Sequence, residues 1–170
     1  MKLIIVVFFS SFTLTLAAQK NSLLTEKFSI EGKVKRAFTF SIADLDTFKL
    51  KSLPDVTITN HLGEKKYTLT NLKGIPLKDI LSKAEPDAEN PKVLSEFYFV
   101  FVATDNYKIV FSWNEIFNTE TGNNIYIIME EDGKKIKEIN GRISIVTLTD
   151  FTTGRRHMSN IDKIVVERAR

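Results

Sequence analysis

The chain has 170 residues, a formal net charge of +3 and no cysteine. The missing thiol excludes disulfides, thiolate nucleophiles, cysteine-ligated metals and the lipid-modified cysteine of a bacterial lipoprotein. So small a positive surplus, scattered over Lys and Glu alike, gives no basis for nucleic-acid binding.

The N-terminus carries one early cation, Lys2, then an apolar run over residues 3–16 and the small residues Ala17 and Ala18. That order reads as a secretory signal peptide over residues 1–18, cleaved after Ala17 or Ala18. The run falls short of the roughly 20 apolar residues that span a bilayer, and Ser10, Ser11, Thr13 and Thr15 interrupt it. The expected product is exported, periplasmic or secreted, with no membrane span after cleavage. Residues 19–27 are polar without lasting periodicity and read as a flexible leader, and residues 28–170 suit a single domain with a real core.

Phe28, Ile30, Gly32 and Val34 alternate with polar residues, the pattern of a half-buried strand. Ser41 with Asp44 three residues later predicts a capped helical turn, and Leu53-Pro54 breaks the chain before the next strand. Val56 and Ile58, then Tyr67 and Leu69, mark two strands joined at His61-Leu62-Gly63-Glu64, where glycine favours a hairpin turn. Pro76 reads as the first residue of a helix continued by Leu77, Ile80, Leu81 and Ala84, with Gly74 upstream allowing a tight turn or a close backbone approach. Pro86 and Pro91 close that region. The helix is expected to pack on one sheet made from the strands on either side of it.

Residues 96–103 form the most apolar stretch, and an unbroken apolar strand belongs in the middle of a sheet covered on both faces. Thr104-Asp105-Asn106 turns it back into residues 107–111, since Asp and Asn tolerate the left-handed conformation. Ser112 and Glu115 repeat the capping-box spacing. An apolar strand over residues 124–129, a turn at Glu131-Asp132-Gly133-Lys134, an alternating strand over residues 142–148 and a last one containing Ile161, Ile164 and Val166 complete the chain. Several strands, three short helices and short loops predict an α+β fold with a mixed, mainly antiparallel sheet.

Between the last two strands lies the polar loop 150–157. Arg155, Arg156 and His157, with Lys163 beyond, could hold an anion, because guanidinium groups give paired hydrogen bonds to oxyanions; Gly154 could let backbone N–H groups turn toward it. The alternative is a solvated basic loop. His61 and His157 are the only histidines, and neither has another metal ligand at a suitable spacing. Trp113 and Tyr107 stand at strand ends, either as a stacking platform for a flat ligand or as ordinary core aromatics. Asp105 and Glu115 read as turn and cap residues.

The order of these features resembles the molybdopterin-binding domain of the sulfite oxidase family. The resemblance rests on Asp44-Leu45, the segment from Gly74 to Leu81, the Ala103-Thr104-Asp105-Asn106-Tyr107 hairpin with Asn where the family has Gly, Ser112 to Glu115, Asp132-Gly133, Asn140-Gly141-Arg142 and Arg155-Arg156-His157. It covers nearly the whole chain after the export segment. It implies a sulfite-oxidase molybdopterin-domain-like fold and, for catalytic members, a cysteine thiolate on molybdenum close to Thr59-Asn60-His61. This chain offers no sulfur of that kind, and neither Thr nor Asn replaces a soft anionic ligand.

The reading that follows is an exported relative that keeps the fold without the redox metal. It would bind a small anionic or pterin-like ligand, or an envelope protein partner, at a cleft lined by Asn60, His61, Trp113, Arg155, Arg156 and His157. Molybdopterin itself is possible on the family resemblance alone. One alternative is a molybdopterin-dependent oxidoreductase with His61 as a non-thiolate metal ligand. Another is a structural or adhesion module of the envelope, marked by a large exposed apolar patch in place of a polar cleft.

Overall fold

The computed structural model describes residues 24–169, so the export segment read over residues 1–18 lies outside the described residues. In chain order the first strands are β1 (Lys27–Gly32), β2 (Phe38–Ser41), β3 (Lys51–Ser52), β4 (Val56–Thr59), β5 (Lys65–Leu69) and β6 (Lys73–Pro76). They are followed by β7 (Phe97–Ala103), β8 (Lys108–Ser112), β9 (Ile125–Glu131), β10 (Lys134–Lys135), β11 (Ser144–Thr147) and β12 (Ile161–Arg168). The helices are α1 (Ile42–Leu45), α2 (Leu77–Leu81) and α3 (Trp113–Phe117), with 3-10 turns at Pro91–Glu96, Glu120–Asn124 and Thr153–Arg155.

The fold is α+β and mainly antiparallel. One sheet runs in the order β2-β1-β12-β7-β8, and among the described residues its only parallel pair is β1 with β12. The second has β9 at its centre, with β6 on one side and both β10 and β11 on the other. The β4–β5 hairpin stands apart from both.

Alternation along the strands fixes what lies between these layers, because successive side chains of a strand point to opposite faces. Phe28, Ile30, Phe99, Phe101, Ile164 and Val166 of the first sheet meet Ile75, Ile125, Ile127, Met129 and Ile145 of the second in one core, closed by Leu77, Ile80 and Leu81 of α2. The opposite face of the second sheet, Tyr126, Ile128 and Val146, packs under Val56, Ile58 and Leu69 of the β4–β5 hairpin.

The strands covered on both faces are therefore β9 and β11, not β7. Residues 125–129 and all four residues of β11 are buried. In β7, Phe97, Phe99 and Phe101 face the core while Tyr98 and Val100 are only half-buried on an outer face. An apolar run shows that burial is tolerated on both faces; which run receives it depends on where the hairpin docks. Likewise the strand read before α2 at Tyr67 and Leu69 is β5 of the separate hairpin, and the strand after it is β7 of the first sheet, so the single sheet expected to carry α2 is not formed.

Other differences are local. Pro76 ends β6 and caps α2, which starts one residue later than expected. Gly74 serves a close approach: a Cβ there would lie 2.8 Å from the Ile127 carbonyl oxygen. The domain is also anchored before Phe28, since Thr25 is buried and the Ile42 N–H donates to the Glu26 carbonyl at 2.9 Å.

Candidate functional site

The tip of the β4–β5 hairpin is built by Asn60. Its Oδ1 accepts from the Leu62 N–H at 2.9 Å and the Glu64 N–H at 3.0 Å, while Nδ2 donates to Glu64 Oε2 at 2.7 Å. This is a side chain closing its own turn. Gly63 takes the left-handed conformation that the turn requires, with φ of 86°. His61 and Leu62 are left facing solvent, and Leu62 is 70% exposed.

The 150–157 loop is pinned to that hairpin by Thr153 and Gly154. Thr153 Oγ1 accepts from the Thr59 N–H at 3.1 Å and donates to the Thr57 carbonyl at 2.6 Å. A Cβ on Gly154 would sit 1.9 Å from the Thr59 carbonyl oxygen, so the close backbone packing there requires glycine. Arg155 follows. Its Nη2 donates to the His61 carbonyl at 3.2 Å, and its own carbonyl accepts from the Tyr107 hydroxyl at 2.6 Å. The turn leading into β8, the β4–β5 hairpin and the loop thus meet at one pole of the molecule.

Arg156 points the other way, into a clamp. Its Nε donates to Asp150 Oδ2 at 2.8 Å, Nη2 donates to Asp150 Oδ1, and Nη1 donates to Glu115 Oε1. The guanidinium lies 4.5 Å from the centre of the Phe111 ring. The Asp150 hydrogen bonds hold its pKa above the ordinary arginine value against the effect of burial, and Glu115 adds to this. Two carboxylates on one guanidinium satisfy its charge locally. Arg156 therefore braces the loop against α3, whereas Arg155 lies at the surface with no carboxylate partner among the described residues.

His157 is turned inward. Nδ1 lies 3.0 Å from the Ile145 carbonyl, and because a carbonyl only accepts, Nδ1 carries the hydrogen. Burial lowers its pKa, the Ile145 bond partly opposes this, and Lys66 lowers it further. Trp113 stands apart from this group, packed on Phe117 at a ring separation of 5.1 Å and against the main core. Lys163 lies in β12, 3.2 Å from Glu31 on the neighbouring β1.

Of the residues singled out in the sequence, the pole brings together Asn60, His61, Arg155, Arg156 and His157, with Tyr107 beside them. Trp113 is not among them. The depression there, about 320 Å³, is lined by Asp150, Phe151, Thr152, Arg155 and Arg156. Sequence reasoning passed over Phe151, which is wholly exposed, and Leu62. Their signal was available: large apolar residues in turn segments of otherwise polar composition.

These residues do not fit a molybdenum cofactor. Asn60 is used up by its turn, Arg156 faces two carboxylates that would repel an anionic tail, and His61 projects from a hairpin tip. Among the described residues, no three His, Asp or Glu side chains are placed to hold a metal ion together.

No protein-family model matches the sequence, and no curated protein matches it. The fold is nevertheless similar to that of the sulfane dehydrogenase SoxCD from Paracoccus pantotrophus, with a TM-score of 0.61 at 13% sequence identity. The match covers 82% of this chain but 37% of that one, so the chain spans little more than a third of its neighbour's length. The likeness is one of fold, and it agrees with the architecture that motif order implied.

Proposed function

We propose that the chain is an exported binding module that uses a dehydrogenase-like fold, without sulfite-oxidase redox chemistry, to engage a partner protein of the cell envelope. The observation that carries the reading is the make-up of the pole. Arg155, exposed and without a carboxylate partner among the described residues, adjoins two freely exposed apolar side chains, Leu62 at the hairpin tip and Phe151 in the loop. Exposed aromatic and arginine side chains on a braced scaffold are the composition of protein-recognition surfaces.

The openness of the pole favours a macromolecular partner over an enclosed pterin or small anion, since small-ligand sites bury most of their ligand. The fitting partner surface has an apolar pocket for Phe151 and a carboxylate for Arg155. Export is supported by the N-terminal pattern; among the described residues no helix is long and apolar enough to cross a membrane. The absence of cysteine from the sequence supports the non-redox part of the reading.

Protein purified from its native host tests that part by elemental analysis and by fluorescence of oxidised pterin. The expected result is neither molybdenum nor pterin. Stoichiometric molybdenum would overturn it.

A further inference from the structure

Strand β8 closes one edge of the first sheet. The hydrogen bond from the Ala103 N–H to the Tyr107 carbonyl, 3.0 Å, sets the phase of its pairing with β7. Counting along the register from that bonded pair, Phe101 with Ile109 and Phe99 with Phe111 are the bonded pairs. Val102 with Lys108, Val100 with Val110 and Tyr98 with Ser112 are the pairs between them, so the N–H and C=O groups of Lys108, Val110 and Ser112 point away from the sheet. No described residue takes up those of Lys108 and Val110 by a backbone bond outside the sheet. The Ser112 carbonyl turns into α3, as an N-cap carbonyl does, and leaves its N–H.

Natural edges are commonly guarded by proline, a bulge or charge in mid-strand. This one has its single charge, Lys108, at the end, no proline, no bulge, and Val110 at the midpoint, 51% exposed. Beneath Val110 the outer face continues in register through Val100 and Val165 to Glu31, a row of three valines ending in a charge.

We infer that β8 pairs with β8 of a second copy of this chain, antiparallel about a two-fold axis at Val110. Such an interface is self-complementary by symmetry. Val110 exchanges both backbone hydrogen bonds with its counterpart, and each Ser112 N–H donates to the other copy's Lys108 carbonyl. Lys108 then lies opposite Ser112, so no like charges face each other. The two valine rows join end to end into one ridge across a ten-stranded sheet. A second copy meets the hydrogen bonds and by symmetry also continues the valine row, which is the reason for assigning the edge to it.

The cysteine-free sequence makes the test direct. Opposed residues of a bonded antiparallel pair stand about 5.5 Å apart at Cα, within disulfide reach. The full chain carrying Val110→Cys should form a disulfide-linked dimer under mild oxidation, whereas Thr39→Cys, exposed on β2 at the opposite edge, should stay monomeric. Unmodified protein should sediment at twice the monomer mass at high micromolar concentration, and Val110→Lys, which sets two ammonium groups on the axis, should sediment as a monomer. A monomer at every concentration, or equal cross-linking from positions 39 and 110, would overturn the inference.

Discussion

Two corners of the molecule carry the same local signal and use it differently. At Ser41 the capping box is complete: the Asp44 N–H donates to Ser41 Oγ at 3.2 Å, and the Asp44 carboxylate accepts from the Ser41 N–H at 2.8 Å. At Ser112 only the first half exists. Ser112 Oγ accepts from the Glu115 N–H at 3.0 Å, but the Glu115 carboxylate has been drawn off to Arg156. The first corner is a device for starting a helix. The second starts a helix and also braces a surface loop, because a guanidinium held half-buried beside Asp150 is a better partner for a carboxylate than one exposed backbone N–H.

The largest effect should come from breaking the second corner. Arg156→Leu strands the nearly buried Asp150 carboxylate without its cation and should lower unfolding free energy in urea by about 2–3 kcal/mol. Glu115→Gln keeps the Asp150 contact and should cost less, about 1–2 kcal/mol. A double-mutant cycle between 115 and 156 should show coupling, and the corresponding cycle between Glu115 and Ser41 should show none. Ser41→Ala, which touches only a helix start, should cost about 1 kcal/mol in the same assay.

The smallest effect concerns pH. Burial holds the His157 pKa below its ordinary value of 6.5, so the folded state resists protonation that the unfolded chain accepts. Its contribution is complete above about pH 6.5 and declines as the pH falls below that value. His157→Asn, whose Nδ2 takes the place of Nδ1, retains a donor for the Ile145 carbonyl but does not titrate. The loss of urea resistance between pH 7 and pH 5 should be shallower in that variant, and an unchanged slope would remove His157 from the account.

The same contrast explains how much was legible. Ser41 with Asp44, the left-handed Asn106, Gly63 in the hairpin and the Asp132-Gly133 turn were readable because partner and signal lie within a few residues. The fold class was readable because alternation and breakers report strand number. What could not be read were choices settled by distant chain: that the β4–β5 hairpin covers β9 and leaves the outer face of β7 open, and that Glu115 leaves its cap for a residue 41 positions away. At the site, Arg155 and Arg156 are adjacent and chemically identical in sequence. Only the loop geometry set by Thr153 and Gly154 directs one to solvent and the other to the Asp150 clamp.

The central claim is that the Arg155 pole engages a protein, and site-specific photo-crosslinking in the native host tests it most directly. A photoreactive residue at 151 should give one discrete envelope-protein adduct, lost when Arg155→Glu is added, while the same probe at exposed Asp162 gives none. No adduct from 151, or adducts of equal yield from both positions, would contradict it.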